Sequence, residues 1–284
     1  MKKILGLIAS PRKLGNSELM VKEIGRQIGE PHNLKLLRFS DFNIKPCIGC
    51  YKCMFGEKRC IHNDDFYEIL EAIVEADALI LASPTYFLGA NALLKLFLDR
   101  GIAFYPFIDQ LWGKPSVGFG IAGINGKEGS TLLGIENFLK LMLSEIKMKT
   151  IVYGALPGEV FFNEENRKKA GELASALFST SQEKAPYACN LCGGETFRFL
   201  GSDRVQCMLC SNKGLMKMEK NQPKVNIEKG MHDLFISHKD VMEHEQWLLG
   251  MKDNFIKNKK RLKEICLDYR GGEWIKPEKK QKSE

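Results

Sequence analysis

The 284-residue sequence contains no run that approaches the ~20 consecutive apolar residues a membrane span needs. Its first apolar stretch, residues 2–9, is short and broken by glycine, and no small-residue cleavage site follows it, so a secretory leader is not expected either. The chain is therefore read as cytoplasmic and without a membrane partner. No internal repeat is evident. Charge of one sign is scarce: the net +7 is mild, and more than half of it falls after residue 216. That pattern fits a solvated helix face better than a nucleic-acid surface. With 44% hydrophobic, 27% charged and 10% aromatic residues, the composition is that of a globular protein. It excludes a disordered, collagen-like or mainly coiled-coil chain.

What is present is a regular alternation. An apolar run suited to a strand buried on both faces lies within residues 2–9, and further strands are read at 34–39, 78–82, 116–121 and 150–155. Between and after them, amphipathic stretches at 17–28, 64–74, 90–103, 131–146 and 163–178 carry apolar residues at helical spacing. Five strands alternating with helices imply an α/β fold with a doubly wound parallel sheet, of the size of the flavodoxin-like version. In such a sheet the ligand lies beyond the carboxyl ends of the strands. The loops after the first, third and fourth strands are thus expected to converge.

The first of these loops, Ser10-Pro11-Arg12-Lys13-Leu14-Gly15-Asn16-Ser17, offers hydroxyls, an amide, a flexible glycine and the free N–H groups of a helix start. Together they suit a phosphate, with Arg12 adding charge. This loop is neither the nucleoside-triphosphate loop nor G-x-G-x-x-G. A plain polar turn with Ser17 as helix cap is the alternative. The second loop, Ser83-Pro84-Thr85-Tyr86-Phe87, sets an aromatic pair on rigid backbone after a buried strand, which suits a flat ring system. The third, Ala122-Gly123-Ile124-Asn125-Gly126, lets backbone approach a ligand edge. Phosphate cradle, aromatic platform and close backbone wall together fit FMN.

These residues, with Ala92-Leu93-Leu94-Lys95-Leu96-Phe97-Leu98-Asp99-Arg100 after the third strand, resemble the NADPH-dependent FMN reductase superfamily over about residues 1–180. The resemblance implies that Ser10, Arg12, Gly15, Asn16 and Ser17 hold the FMN phosphate. It implies that Pro84, Thr85, Tyr86 and Phe87 contact the isoalloxazine, with Gly123 at its other edge. It also places Lys95, Asp99 and Arg100 on a helix that helps build a dimer contact. Tyr86 is a further candidate for a hydrogen bond to flavin or substrate. No acid–base pair stands out, so the chemistry is expected to be the cofactor's own.

The nine cysteines form two quartets and one remainder, Cys266. Without a secretion signal, close-set quartets read as metal sites rather than disulfides. Cys47-x2-Cys50-x2-Cys53-x6-Cys60, within the loop 46–61, has the C-x2-C-x2-C spacing that reaches three corners of a [4Fe–4S] cube, the fourth thiolate completing it. A zinc knuckle or a metal-free loop are the alternatives. A cube-binding loop on an FMN-binding fold resembles the iron–sulfur flavoprotein family. That resemblance makes Cys47, Cys50, Cys53 and Cys60 the cluster ligands and implies a homodimer or tetramer. Cys189-x2-Cys192-x14-Cys207-x2-Cys210 has zinc-ribbon spacing, with Gly193-Gly194 and Gly214 as turn residues. A small module of this kind needs its metal to fold. Rubredoxin-type iron is the redox alternative to zinc.

The expected organisation is a flavodoxin-like FMN-binding domain at 1–182, a zinc-ribbon-like module at 186–216, and a C-terminal helical extension with a charged tail at 217–284. In the last, Val241, His244, Leu248, Met251, Phe255, Leu262 and Ile265 form one stripe for packing on the body or on a second subunit. His232, His238 and His244 are read as incidental, and Cys266 as a buried small residue. The function expected is that of an FMN- and [4Fe–4S]-containing oxidoreductase passing electrons to or from a small redox protein or NAD(P)H. An NAD(P)H-dependent FMN or quinone reductase without a cluster is the first alternative. A redox sensor acting through the ribbon and tail is the second.

Overall fold

The computed structural model describes residues 1–180 and 185–276. The domain boundary expected at 182, and the charged end from 277 onward, lie outside the described residues. The chain divides into two compact units, Met1–His244 and Glu245–Glu284.

In the first unit, strands β1 (Lys2–Ile8), β2 (His32–Arg38) and β3 (Ala78–Tyr86) join β5 (Pro115–Ala122) and β6 (Glu145–Tyr153) in a parallel sheet of order β2-β1-β3-β5-β6. A two-residue strand, β4 (Gly89–Ala90), folds back antiparallel on the end of β3. The five-strand expectation thus holds for the parallel sheet, and β4 is an addition. Helices α1 (Asn16–Gln27) and α6 (Glu164–Leu177) cover one face of the sheet. Helices α2 (Phe66–Glu75), α3 (Ala92–Leu98) and α5 (Thr131–Leu141) cover the other. Each face has its own core: Met20, Ile24, Ile80 and Leu173 on one side, Phe39, Phe66, Phe97 and Phe138 on the other. Burial on both sides is why the inner strands β1, β3 and β5 read as continuous apolar runs, whereas the edge strands β2 and β6 are only partly buried. Helix α5 packs so closely that a Cβ at Gly118 would lie 2.5 Å from Ile135 Cγ2.

Two boundaries differ from the periodicity. Helix α5 stops at Leu141 because Leu143 turns into the left-handed region (φ 59°) and the Ser144 hydroxyl donates to the Leu139 carbonyl at 2.8 Å. The residues after it therefore enter β6 earlier than their apolar content suggests. The stretch expected as one helix at 90–103 is α3 followed from Gly101 by a 3-10 segment (Gly101–Phe107); that segment runs on through Pro106 to the short α4 (Ile108–Leu111). Pro106 lacks the N–H that would let this segment continue as an α-helical ladder, although α3 has already ended at Leu98.

A second sheet, order β10-β9-β8-β7, is wholly antiparallel: β7 (Phe197–Gly201), β8 (Arg204–Cys207), β9 (Lys213–Glu219) and β10 (Gln222–Ile227). It runs past residue 216, so the ribbon module includes a hairpin that the cysteine spacing did not mark. Helix α7 (His238–Asp268) follows and carries on into the second unit. There Met251, Phe255, Leu262 and Ile265 are exposed, and so is Cys266, contrary to the burial expected of it.

Candidate functional site: a cavity at the strand ends and two cysteine quartets

Beyond the carboxyl ends of β1, β3, β5 and β6 lies a cavity of about 240 Å3. Its wall brings together Ser10, Arg12, Gly15, Asn16, Ser17, Pro84, Thr85, Tyr86 and Gly123, nine of the ten residues the sequence singled out, with Ile121, Gly154 and Ala155. Phe87 is not among them.

The first loop is held by its own polar groups. Gly15 caps α1 without a side-chain acceptor, so the N–H groups of the first turn are left for an anion. Three residues on, Glu18 reaches back to accept the Leu14 N–H at 2.9 Å, in the manner of a capping box. Burial raises the Glu18 carboxyl, but the bonds from Lys22, Leu14 and Arg38 outweigh it and hold the group below its ordinary range. Its charge is thus tied down by Lys22 at 2.6 Å and Arg38 at 2.5 Å. Asn16 is committed elsewhere than expected: its amide donates to the Gly154 carbonyl at 2.9 Å and its oxygen accepts the Gly158 N–H at 2.9 Å. Arg12 donates to the Ala155 carbonyl at 3.2 Å. The β6 loop is therefore part of the cavity. The run Gly154-Ala155-Leu156-Pro157-Gly158 was the signal for it, small residues just past a fifth strand.

The second loop is a tight hairpin, with Thr85 opposite Ala90 and Tyr86 opposite Gly89. Its two turn residues, Phe87 and Leu88, both have positive φ, 47° and 64°. Glycine or asparagine is the usual occupant of such a turn, so this backbone is strained. It is held by the Leu88 carbonyl, which accepts the Ser130 N–H at 2.7 Å and the Ser130 hydroxyl at 3.1 Å. Phe87 is fully exposed and Tyr86 half-exposed, so only the tyrosine of the aromatic pair lines the cavity. Exposed apolar residues, Leu14, Phe87, Ile124 and Leu156, adjoin the lining residues in sequence, and Leu88 follows Phe87.

The first cysteine quartet lies on the loop from β2 to α2. Cys47 and Cys50 are exposed, whereas Cys53 and Cys60 are half-buried against the core around Phe66 and Phe104. Left-handed turns at Gly49, Tyr51, Gly56 and Lys58 fold it back on itself. Burial, with the neighbouring Cys60, Cys50 and Cys47, pushes the Cys53 thiol up to about 11. The Cys60 N–H donates to the Tyr67 hydroxyl at 2.8 Å.

The second quartet is gathered much more tightly. Among the described residues it is the one set whose ligand atoms all lie within 4.8 Å of one another. Cys192 and Cys207 Sγ are 3.5 Å apart, Cys189 and Cys210 Sγ 3.9 Å. Four thiolates ~2.3 Å from one tetrahedral ion stand about 3.8 Å apart. Hydrogen bonds from Cys192, Cys207 and Cys210 hold Cys189 far below the usual thiol range, while Cys192 and Cys210 are pushed up. Each pair sits on the same turn: the Gly193 N–H donates to the Cys189 carbonyl and the Ser211 N–H to the Cys207 carbonyl, with φ of 78° and 62°. The second turn residue is thus Ser211. Gly214, expected in that role, lies in β9, where a Cβ would sit 2.0 Å from the Asn226 carbonyl oxygen. Lys149 of β6 bridges Glu136 of α5 and Glu195 of the ribbon, tying the module to the parallel-sheet body. The three histidines are bonded pairwise or to acid: His232 Nε2 and His244 Nδ1 are 2.7 Å apart, and His238 meets Asp109 at 2.9 Å.

Residues 2–157 match the family model described as NADPH-dependent FMN reductase. An iron–sulfur flavoprotein of Methanocaldococcus jannaschii is 36% identical over 140 residues, 48% of this chain and 70% of that one. Another, of Archaeoglobus fulgidus, is 30% identical over 185 residues, 64% of this chain and 81% of that one. A solved structure titled flavone reductase superposes with a TM-score of 0.69 at 17% identity, covering 97% of this chain and 100% of that one, a likeness of fold. No helix among the described residues is long and apolar enough to cross a membrane.

Proposed function

This chain belongs to the NADPH-dependent FMN reductase family and, within it, to the iron–sulfur flavoproteins, and from that premise we propose that it is an oxidoreductase that holds FMN at the strand ends and a [4Fe–4S] cluster on the first cysteine quartet. One observation carries the reading: the loops after β1, β3, β5 and β6 meet in a single cavity whose lining offers an anion site at one side and small or flat groups at the other.

When bound, FMN supplies transfer of electrons singly or in pairs and the cluster transfer of one at a time. The protein's own groups bind and orient. Ser10 and Ser17, the uncapped first turn of α1 and the Arg12 guanidinium bind the phosphate. Asn16 acts on that phosphate indirectly, by fixing the β6 loop against the phosphate loop. Thr85, held by the Thr131 hydroxyl at 2.8 Å, and Tyr86 form the ring platform, with Gly123 and Ala155 facing it.

The spacing of the two quartets supports different metals. The ribbon thiols are already at the separation of a single closed tetrahedral ion, which supports structural zinc. The first quartet is folded into one loop without closing to that separation, as suits a cube, whose irons are spread over its corners. The exposed apolar rim of Leu14, Phe87, Leu88, Ile124 and Leu156 supports association with a second copy. The donor is a small redox protein or NAD(P)H.

The test is purification without oxygen, followed by assay of flavin, iron, sulfide and zinc per chain. One FMN, four irons, four sulfides and one zinc are expected. Flavin and zinc without iron would leave an FMN reductase lacking a cluster.

A further inference from the structure

Arg100 is among the largest fully buried side chains in the protein. It sits just past α3 and pairs through Nη1 with Asp64 Oδ2 at 2.5 Å, with both side chains at most 1% exposed. Its guanidinium carbon lies 4.0 Å over the Phe66 ring. Two of its nitrogens, Nε and Nη2, are buried without a hydrogen-bond partner. A guanidinium does not shed its charge on burial, and a buried donor left unmade costs more than a made bond returns. That arrangement calls for an acceptor that the polypeptide does not provide.

The neighbourhood says which acceptor. Asp64 Oδ2 also takes the Lys45 N–H at 2.8 Å, and Asp65 Oδ2 takes the Asn43 N–H at 2.7 Å. The residues before Cys47 and after Cys60 are thus joined at the neck of the cysteine loop. The 3-10 turn Lys52–Met54, which carries Cys53, packs on the 3-10 segment Gly101–Phe107 that Arg100 opens. Cys53 and Cys60 rest on the same core as Phe66 and Phe104. On the other side, α3 is anchored to the cavity hairpin: the Asn91 N–H donates to Ser83 Oγ at 2.9 Å, and Asn91 Oδ1 caps the helix at Leu93 N at 2.9 Å. Far from facing a dimer contact, as the resemblance implied, Arg100 is enclosed by its own chain.

We propose that Arg100, clamped by Asp64, is the residue that sets the electron affinity of the iron–sulfur cluster, its Nε–H and Nη2–H donating to sulfur of the cluster or its thiolates. The inference rests on the first quartet holding that cluster. A fixed positive charge with two N–H donors beside the cluster favours the reduced state, which carries the extra negative charge. The short α3 then joins that residue to the flavin-side hairpin through one rigid element.

The experiment reconstitutes the full-length protein with iron and sulfide without oxygen, as wild type and as Arg100→Lys, Arg100→Met and Asp64→Asn. Iron, sulfide and FMN per chain are measured with the cluster's potential by redox titration. Arg100→Met is expected to shift the potential negative and Arg100→Lys to shift it less, since the ammonium keeps the charge but loses the fork. Asp64→Asn is expected to shift it positive, because it removes the compensating anion. Opposite signs from the two partners of one ion pair are not what a purely structural role produces. Loss of iron from Arg100→Met with FMN retained, alongside a shifted but loaded Arg100→Lys, also supports the proposal. Potentials equal to wild type in loaded variants overturn it, as does joint loss of iron and FMN in all three. Absence of iron from the wild type overturns the cluster reading itself, and is read before any variant is compared.

Discussion

The side-chain amide of Asn16 donates to the main-chain carbonyl of Gly154 at 2.9 Å, joining the loop after β1 to the loop after β6, the last strand of the parallel sheet. Asn16 has little freedom to serve as a ligand donor, because its oxygen is taken by Gly158 as well. Replacing it with alanine leaves the buried Gly154 carbonyl and the part-buried Gly158 N–H without this partner, the buried one at a cost of about 1–3 kcal/mol. FMN affinity of Asn16→Ala is expected to fall by roughly tenfold or more, the equivalent of ~1.4 kcal/mol, with the fold retained. Titration of flavin fluorescence against the apoprotein measures it, and an unchanged dissociation constant would mean the β6 loop is not part of the flavin site.

Gly154 itself has no room for a side chain. A Cβ there would lie 2.9 Å from the Val160 main-chain nitrogen and 3.1 Å from Asn16 Nδ2. Gly154→Ala therefore pushes the loop away from the phosphate side, and weakened FMN binding is expected at little cost to the strand pairing of the sheet. The same flavin titration, with far-ultraviolet circular dichroism as control, checks both halves.

In the ribbon, the four thiols cluster around one point and little else fills the module's core beyond Val205, Leu209, Val225 and Ile227. Chelation of the metal, or Cys189→Ser, is expected to unfold residues 185–227 while leaving the parallel sheet intact, because so small a core does not offset the entropy of ordering its chain. Hydrogen exchange resolves the two regions. Protection of β7–β10 that survives metal removal would refute a structural metal there.

Asp64 gives the protein an acid limit. Burial raises its carboxyl, but Arg100 and the Lys45 N–H more than offset that and hold it below the ordinary carboxylate range. A group lowered on folding contributes stability above its unfolded value of ~3.9, and that contribution is lost as pH falls through the folded value. Asp64→Asn is expected to be less stable than wild type at pH 7, by about 3–5 kcal/mol for a broken buried pair. The difference should narrow as pH drops below about 4. Urea midpoints of the iron-free protein at pH 7 and pH 3 measure this, and a constant gap across that range would exclude Asp64 as its source.

Much of the site could be read from residue order because the rules of parallel sheets are local and topological. Buried strands must be apolar on both faces, and strand ends on one side must face one ligand. That logic brought Ser10, Asn16, Pro84 and Gly123 together from distant positions. It could not see that Phe87 would be turned to solvent. The two-residue turn forces positive φ at Phe87 and Leu88, and the Leu88 carbonyl is caught by Ser130 from a different part of the chain. Nor could it separate Asn16 as a strut from Asn16 as a ligand, since that depends on where Gly154 and Gly158 come to lie.

Residue order is enough to specify the alternating sheet, the cavity at its strand ends and the two cysteine quartets, since hydrophobic period, turn chemistry and thiol spacing are written within a few residues of each other. Tertiary structure alone decided that the ribbon thiols close to single-ion distance while the first quartet stays open. It also decided that β9 and β10 complete the ribbon, and that Arg100, just past α3, ends buried against Asp64 at the neck of the cysteine loop. Those outcomes depend on contacts between segments tens of residues apart, where packing and the need to satisfy buried polar groups act, and no local pattern records them.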